Sequence, residues 1–461
     1  MGKEVGEVME GYKETEIGVL PEEWDVVRID DLVIDIVSGE WGSEKQIKGY
    51  IPCYVIRGTD FPQASLGSLT GIPVRFLSPK KLEKRNVFAG DVLVELSGGS
   101  KDQPTGRVLM ITKRLLDRCS LPICFSNFVK LLRLQSKCYP AFFELYWQYL
   151  YSQGATRLYE KRTTGIRNFK LNDFLSNEYI PLPPLPEQRK IAHVLSTIQR
   201  AIELQDRIIA AVRELKRSLM RHLFTYGPVP VDQIDRVSLK ETEIGPVPEH
   251  WDIVPLGECA FVQTGVAKGR KLEGSDILEV PYLRVANVQD GYLDLSEIKY
   301  IKIRKSEVKR YLLEPGDVVL TEGGDFDKLG RGFIWRGGIQ NCVHQNHIFA
   351  IRVNRRILLP EFVAYLIQSH YGKSYFLSVA HRTTHLACIN TTKLKTFPVL
   401  IPTINEQQKI VAILSSVDHK IQAEEIRKNT LDALFKTLLY NLMTGKVRVK
   451  ALEVNVDAPG R

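Results

Sequence analysis

The chain has 461 residues, of which 44% are hydrophobic and 25% charged, and its formal net charge is +9. That length predicts several domains, each large enough to bury a core of its own. The excess positive charge favours an acidic partner, with nucleic acid first. Seven cysteines without a CxxC pair argue against a disulfide scaffold. They indicate a reducing compartment, and we therefore expect a cytoplasmic protein.

The start of the chain, MGKEVGEVMEGYKETEIG, has no apolar stretch, so we expect no signal peptide. No window of about 18 apolar residues predicts a membrane span. The next segment, residues 21–184, predicts a mixed domain whose short β-rich runs are separated by Gly, Pro and Asp turns. It contains one clear helix, over Pro140–Ser152, and ends in the Pro-rich hinge IPLPPLPEQ.

The next predicted element is a single long helix over Leu185–Tyr226. Pro186 suits its first turn, and no further Gly or Pro occurs before the stop signal Gly227-Pro228. At ~1.5 Å per residue, roughly 38 residues of this helix make a rod about 55 Å long. Apolar residues recur at heptad spacing and predict a partner helix. This predicted seam contains Ile191, Leu195, Ile198, Ile202, Ile209, Val212, Leu219 and Leu223, with Gln205 and Lys216 at its two polar positions.

A second mixed domain is predicted over residues 241–403, and a second long helix over Asn405–Thr444. In this helix Asn405 and Gln408 have the spacing of a capping box. The tail after Val447 is polar, and we expect it to fray. The second seam is predicted to contain Ile410, Leu414, Val417, Ile421, Leu431, Leu434, Leu438 and Leu442.

These elements form a tandem duplication. The segment KETEIG occurs at Lys13–Gly18 and again at Lys240–Gly245, and Trp24 is repeated as Trp251. The prediction is an α+β chain with two similar mixed α/β domains and two long antiparallel coiled-coil helices, related by an internal pseudo-two-fold repeat. Parallel helices would require the short linker after the first helix to span its whole length. The predicted division of the chain is 1–20, 21–184, 185–240, 241–403 and 404–461.

The framing motifs resemble the specificity (S) subunits of type I restriction–modification enzymes. The motifs are PPLPEQRKI and its looser repeat PTINEQQKI, together with IGVLPEEW and IGPVPEHW. The second copy departs from the family pattern, with Asn405 in place of a proline. The resemblance covers nearly the whole chain, and it rests on two copies of both motifs in the same order.

The resemblance implies a non-catalytic subunit in which each domain is a target recognition domain that reads half of a bipartite site in double-stranded DNA. It also implies that the helices separate the halves and dock two methyltransferase (M) subunits, and that motor–nuclease (R) subunits join them. No cofactor is expected in this chain; S-adenosylmethionine, Mg and ATP would belong to the partner subunits. The sequence contains no Asn-Pro-Pro-aromatic motif and no P-loop.

Candidate DNA-binding residues fall at matching places in the two copies. Gly-rich loops follow a Gly-Asp-Val strand start and precede cations, and Arg-Thr-Thr loops precede each hinge. Glycine lets a backbone approach phosphate, arginine can bind phosphate or guanine, and asparagine can bind adenine. The candidates are Arg57, Gly98, Gly99, Lys101, Arg107, Asn127, Arg162, Thr163 and Thr164 in the first copy, and Arg284, Gly323, Gly324, Lys328, Arg331, Asn346, Arg382, Thr383 and Thr384 in the second.

Structural roles remain open for these residues. The glycine loops are also consistent with ordinary wide turns, and the Arg-Thr-Thr segments with structural loops. The asparagines could instead satisfy backbone groups. Cys342, His344 and His347 match no zinc signature, so no metal site is expected. Two other functions also remain open, a divergent nuclease or methyltransferase site in one domain and a coiled-coil organiser without a DNA function.

Overall fold

The computed structural model describes residues 10–100, 103–163, 166–243, 245–324, 329–382 and 387–450. The chain divides into two compact units. The first unit contains Met1–Leu204 and Lys428–Arg461, and the second contains Gln205–Arg427. Each unit therefore contains one mixed α/β domain and part of each long helix. We call residues 25–182 the first domain and residues 252–401 the second domain.

The first half of the chain alternates short strands with short helices before one long helix. Its strands are β1 (Tyr12–Thr15), β2 (Gly18–Pro21), β3 (Asp25–Arg28), β4 (Val33–Ser38), β5 (Ile51–Ile56), β6 (Val74–Leu77), β7 (Val92–Glu95), β8 (Ser97–Gly98), β9 (Val108–Met110), β10 (Ile123–Phe125), β11 (Val129–Leu134), β12 (Glu160–Thr163), β13 (Ile166–Phe169) and β14 (Tyr179–Leu182). Its helices are α1 (Phe61–Ser65), α2 (Pro79–Glu83), α3 (Lys113–Asp117), α4 (Pro140–Ser152), α5 (Leu171–Asn177) and α6 (Leu185–Tyr226).

The second half repeats this plan. Its strands are β15 (Leu239–Lys240), β16 (Val247–Pro248), β17 (Asp252–Pro255), β18 (Ala260–Thr264), β19 (Ile277–Leu283), β20 (Lys299–Arg304), β21 (Val318–Thr321), β22 (Gly323–Gly324), β23 (Gly332–Ile334), β24 (Val343–His344), β25 (Ile348–Val353), β26 (His381–Arg382), β27 (Ala387–Cys388) and β28 (Pro398–Ile401). Its helices are α7 (Leu256–Cys259), α8 (Lys305–Tyr311), α9 (Pro360–Gln368), α10 (His370–Val379), α11 (Thr391–Lys395) and α12 (Ile404–Met443).

The two domains share one sheet topology. The four-stranded sheet has the order β4-β11-β7-β9 in the first domain and β18-β25-β21-β23 in the second. Three-stranded sheets follow as β10-β5-β6 and β24-β19-β20, and as β12-β13-β8 and β26-β27-β22. The β10–β5 and β24–β19 pairs are parallel in their respective domains. The duplication seen in the framing motifs therefore extends through the divergent interiors.

Both long helices form where they are predicted. Helix α6 has the predicted bounds, and Gly227 follows it with a positive φ of 82°, a backbone conformation typical of a helix stop. In the first unit, Leu195 near the start of α6 and Leu439 near the end of α12 share one core. In the second unit, Leu223 near the end of α6 and Leu414 near the start of α12 share another. The helices are thus antiparallel, as predicted.

The polar seam positions of α6 bind polar partners on α12. Gln205, only 3% exposed, donates from Nε2 to the side chain of Glu424. The Nζ of Lys216 lies 2.6 Å from Oδ1 of Asp418. One predicted seam position is wrong, because Leu434 is 44% exposed, while Leu439, five residues later, is buried.

The predicted cap of α12 is also wrong. Thr403 and Glu406 make the reciprocal bonds instead, with the Thr403 N–H donating to Oε2 of Glu406 (3.0 Å) and the Glu406 N–H donating to Oγ1 of Thr403 (3.3 Å). Asn405 is exposed. The hinge therefore starts the helix two residues earlier than the Asn405–Gln408 spacing suggests.

The Glu-Gln pair at the start of each long helix binds the adjacent part of the chain. Its glutamine reaches the domain: Gln188 accepts from the Tyr139 N–H (2.7 Å) and Gln407 from the Leu359 N–H (2.8 Å). In the first unit, Trp24 is fully buried and its Nε1 donates to Oε2 of Glu187 (3.1 Å). In the second unit, Nε1 of Trp251 donates to Oε1 of Glu406 (3.2 Å). Both tryptophans are thus core anchors, and the recurrence of the Glu-Gln and Trp motifs has a structural cause.

The end of the chain is ordered further than predicted. Arg448 donates from Nε and Nη2 to the two carboxylate oxygens of Glu187, each over 2.7 Å, and Val449 is 3% exposed. The expectation that the tail frays after Val447 is therefore wrong for residues 448–450. A nonlocal ion pair and apolar burial hold this polar segment, and neither is visible in its own composition.

Candidate nucleic-acid interface

Strand pairing joins the Gly-rich loop and the Arg-Thr-Thr segment in each domain. In the first domain β8, which contains Gly98, pairs with β13, and β13 forms a hairpin with β12, which contains Arg162. In the second domain β22, which is Gly323–Gly324, pairs with β27, and β27 forms a hairpin with β26, which contains Arg382. Two motifs that are far apart in the sequence therefore share one small sheet in each domain.

Part of the candidate set stays a prediction. Lys101, Thr164, Lys328, Thr383 and Thr384 lie outside the described residues. For Arg162, Thr163 and Arg382 the structure describes the backbone only.

Five candidates of the first domain line one cavity of about 740 Å³. Trp41 and Phe128 also line it, and Phe128 is 54% exposed. The cavity thus combines cationic, amide and glycine surfaces with exposed aromatic surface. The five candidates are Arg57, Gly98, Gly99, Arg107 and Asn127.

Both arginines of this cavity are held by carboxylates. Arg107 donates from Nε to Oε2 of Glu95 (2.9 Å) and from Nη2 to Oε1 of Glu95 (2.6 Å). Arg57 donates from Nε and Nη2 to the two oxygens of Asp60, over 2.9 and 2.8 Å. Glu95 and Asp60 are each 2% exposed. These carboxylates raise the pKa of both guanidinium groups, which therefore stay charged.

The glycine loop is a tight turn and also forms part of the cavity wall. Gly99 has a φ of +72°, and a Cβ on it would lie 2.7 Å from the carbonyl oxygen of Gln103. Asn127 is exposed, so it is not a buried asparagine that only satisfies backbone groups. The turn and the proposed DNA contact are thus compatible at these residues.

The matching candidates of the second domain have different partners. Arg284 donates from Nη2 to the carbonyl oxygen of Glu297 (3.0 Å) and forms an ion pair with its side chain. Arg331 donates from Nη1 to Oε1 of Gln289 (3.2 Å). Asn346 lies beside His347, whose Nδ1 is 2.6 Å from the carboxylate of Glu322.

Sequence reasoning missed several groups at this site. Glu95 is the last residue of β7, and nothing local in the sequence marks it as the partner of Arg107. Arg167 lies opposite Gly98 across the β13–β8 pair, and it bonds Glu160, whose side chain is 3% exposed, over 3.2 Å. A useful signal was available, because Arg167 belongs to the same KRTTGIR segment as the Arg-Thr-Thr motif. The buried glutamates can be assigned only once the strands are paired.

Comparison with known proteins places this chain in a family. The family model described as "Type I restriction modification DNA specificity domain" matches residues 21–214 and 248–433. These two matches cover most of the chain and coincide with its two copies.

The chain belongs to this family. It is a specificity subunit of a type I restriction–modification system with two tandem target recognition domains, and it is not one of the catalytic subunits. The two family-model matches contain the first and second domains described above.

Individual relatives agree with this assignment. The chain is 27% identical to the type I restriction enzyme MjaVIII specificity subunit of Methanocaldococcus jannaschii, over 96% of this chain and 97% of that protein. It is 24% identical to the EcoKI specificity subunit of Escherichia coli, over 96% of this chain and 91% of that protein.

Two solved structures share the fold. A chain from work on complex assembly and conformational transition of the type I R-M system has a TM-score of 0.52 and 15% identity, covering 93% of this chain and 99% of that one. The type I S subunit from M. genitalium has a TM-score of 0.52 and 17% identity, covering 91% and 96%. In our structure, none of the described helices is long and apolar enough to cross a membrane.

Proposed function

We propose that each target recognition domain reads one half of a bipartite site in double-stranded DNA. The observation that carries this proposal is the shared cavity of the first domain, which gathers five residues selected from the sequence as DNA contacts. Arginine and asparagine side chains suit base edges in the major groove. The net charge of +9 adds attraction to phosphate that does not depend on sequence.

The candidates would act in two ways. Glycine backbone and the Arg-Thr-Thr hairpins contact phosphates and so fix the orientation of the duplex. Arg57, Arg107 and Asn127 in the first domain contact base edges, as do Arg284, Arg331 and Asn346 in the second. In each domain the proposed phosphate contacts lie on or beside one small sheet, β12-β13-β8 or β26-β27-β22, whereas the proposed base contacts lie at the ends of strands in the other sheets.

The two long helices set the distance between the half-sites and dock two methyltransferase subunits. Large apolar side chains that the helices leave exposed support the docking role: Leu204 is 58% exposed, Leu215 is 51% and Leu434 is 44%. Exposed apolar surface of this kind marks protein interfaces when it is contiguous. Motor–nuclease subunits join this assembly, and S-adenosylmethionine, Mg and ATP act in the partner subunits. The assembly works in the cytoplasm.

Exchange of one interior tests the half-site assignment. Residues 21–184 are replaced by the matching interior of another specificity subunit, and the chain is expressed with its methyltransferase partner. Single-molecule sequencing of host DNA should show a new sequence in one half of the methylated site and no change in the other. A change in both halves, or in neither, contradicts the proposal.

The purified chain alone provides the second test. It should transfer no methyl group from S-adenosylmethionine, and the same preparation should direct the methyltransferase subunit to one bipartite sequence. Methyl transfer by the chain alone would contradict the assignment of chemistry to the partners.

A further inference from the structure

Glu95 is the buried acid at the centre of the first-domain cavity. It is 2% exposed and holds Arg107 through the two bonds described above. Two glycines of the cavity wall also approach it closely. A Cβ on Gly58 would lie 2.5 Å from Oε1 of Glu95, and one on Gly98 would lie 2.8 Å away. The cavity is therefore built around this carboxylate.

The matching position of the second domain is Thr321. Backbone bonds establish the match, because the Glu95 N–H donates to the carbonyl of Arg107 (2.9 Å) and the Thr321 N–H donates to the carbonyl of Arg331 (2.8 Å). Both domains therefore have the arginine, as Arg107 and Arg331. The carboxylate at the position of Glu95 is present in the first domain only, because the second has Thr321 there. Among the described residues, the side-chain hydrogen bond of Arg331 goes to Gln289.

The residue that follows Arg57 in the first domain also differs from its match in the second domain. The backbone N–H groups of Arg57 and Arg284 bond the side chains three residues later, each over 2.9 Å, so the residues after these arginines also match. These are Gly58 in the first domain and Val285 in the second. A side chain at position 58 would collide with Glu95, whereas Thr321 is shorter than glutamate. The two differences are therefore sterically coupled.

The fold itself does not require a Glu95–Arg107 pair. A different pair, of a buried aspartate and a partly exposed arginine, does recur in both domains: Asp91 is 3.4 Å from Nε of Arg133, and Asp317 is 2.8 Å from Nη2 of Arg352. Each aspartate also accepts a 2.8 Å bond from the backbone N–H three residues earlier. A pair that supports the shared sheet is thus present twice, while Glu95 belongs to one domain and one cavity.

We propose that Glu95 is a positioning residue that determines the specificity of the first domain by orienting Arg107, and that Thr321 gives the second domain a different readout. This inference rests on the proposed function. Glu95 accepts from Nε and from one N–H of Nη2, so the Nη1 group and the second N–H of Nη2 of Arg107 are left for a base, a pair of donors that can bind guanine with two bonds. Arg331 has no glutamate at the matching position, donates from Nη1 to Gln289 and has a buried Nε, so it presents a different edge to a base.

The test is Glu95→Gln in the full chain, assembled with its methyltransferase partner. Glutamine keeps the size of glutamate and removes the charge. Single-molecule sequencing of methylated DNA should show discrimination in one half-site falling about tenfold at one or more positions. The other half-site should be unchanged. Because the variant leaves the positive charge of Arg107 without its carboxylate partner, the slope of log binding constant against log salt concentration should steepen by about one.

Two further variants keep the test decisive. Gly58→Val/Glu95→Thr gives the first domain the second-domain pair and avoids a cavity, and it should alter the same half-site. Val285→Gly/Thr321→Glu makes the reciprocal change and should alter only the other half-site.

Asp91→Asn is the matched control, because it removes a buried carboxylate from the same strand region outside the cavity. It should lower stability and leave both half-sites unchanged. If Glu95→Gln behaves like Asp91→Asn, the inference is overturned. If the interior exchange described above changes one half-site while Glu95→Gln changes none, the proposed function stands and only this inference fails.

Discussion

At the scale of single residues, the described arginines of the candidate interface are already hydrogen-bonded within their own domains. Arg57, Arg107 and Arg284 bond to carboxylates or to a carbonyl, and Arg331 bonds to an amide. A free arginine loses rotamer freedom when it binds DNA, which weakens binding. Arginine side chains that are already held by hydrogen bonds in the free protein lose less rotamer freedom on binding. Specificity at these positions therefore depends on the holding residue as well as on the arginine.

A buried histidine makes stability depend on pH. His344 is fully buried, and burial lowers its pKa to about 4. The unfolded chain, with a histidine pKa of about 6.5, binds more protons between pH 6.5 and 4. We expect the free energy of unfolding to fall by up to roughly 3 kcal/mol over that range on account of His344. Urea unfolding at several pH values measures this fall.

His344→Phe is the variant that isolates this contribution. Phe125 occupies the matching strand position of the first domain, opposite Ile56 as His344 is opposite Leu283. A ring of similar shape is therefore compatible with the shared sheet. The variant should lose less stability on acidification than the original chain. Equal pH profiles would show that His344 does not titrate in this range.

At the scale of elements, the start of α12 depends on a cap that local spacing did not reveal. Thr403→Ala removes the side-chain oxygen that accepts from the Glu406 N–H, and it should lower the free energy of unfolding by about 1 kcal/mol. Asn405→Ala, two residues away and exposed, should change it far less. Denaturant unfolding of both variants measures the difference. A larger loss for Asn405→Ala would reverse the assignment of the cap.

The seam between the long helices contains polar groups that select its register. Gln205 and Glu424 are buried and bonded to each other, and a one-heptad slip would place each beside apolar side chains. A buried polar group without a partner costs free energy, so such pairs favour one alignment over others. The seam therefore specifies alignment as well as association.

At the scale of the whole molecule, the proposed spacing role of the helices predicts a change in the DNA target. Seven residues are inserted into both helices, between Leu204 and Gln205 and between Arg427 and Lys428, which preserves the heptad register. The insertion adds about 10 Å of helix, or about three base pairs of duplex. The methylated site should keep both half-site sequences, and the gap between them should lengthen by about three base pairs. An unchanged gap would contradict the spacing role.

Insertion into one helix alone is the control. It leaves seven residues of one helix without facing partners, so the seam segments on the two sides of the insertion cannot both keep their register. We expect reduced methylation rather than a new gap, and the same sequencing experiment distinguishes the two outcomes.

The sequence by itself determined the duplication, the mixed class of the domains, the bounds of α6 and the family. These features depend on local signals, such as heptad spacing, helix stops and repeated motifs, which are readable without a fold. The tertiary structure decided which residues meet. Glu95 and Arg107, Thr403 and Glu406, and Arg448 and Glu187 are pairs of this kind.

The physical reason is that the free energy of a buried charge depends on its surroundings rather than on its neighbours in the chain. Glu95 is an ordinary strand residue until pairing of the strands places Arg107 beside it and two glycines against it. Leu434 fits the heptad pattern, yet it is 44% exposed, whereas Leu439 is buried in the core that contains Leu195. Local periodicity predicts a helix and an apolar face, whereas packing decides which residues that face buries.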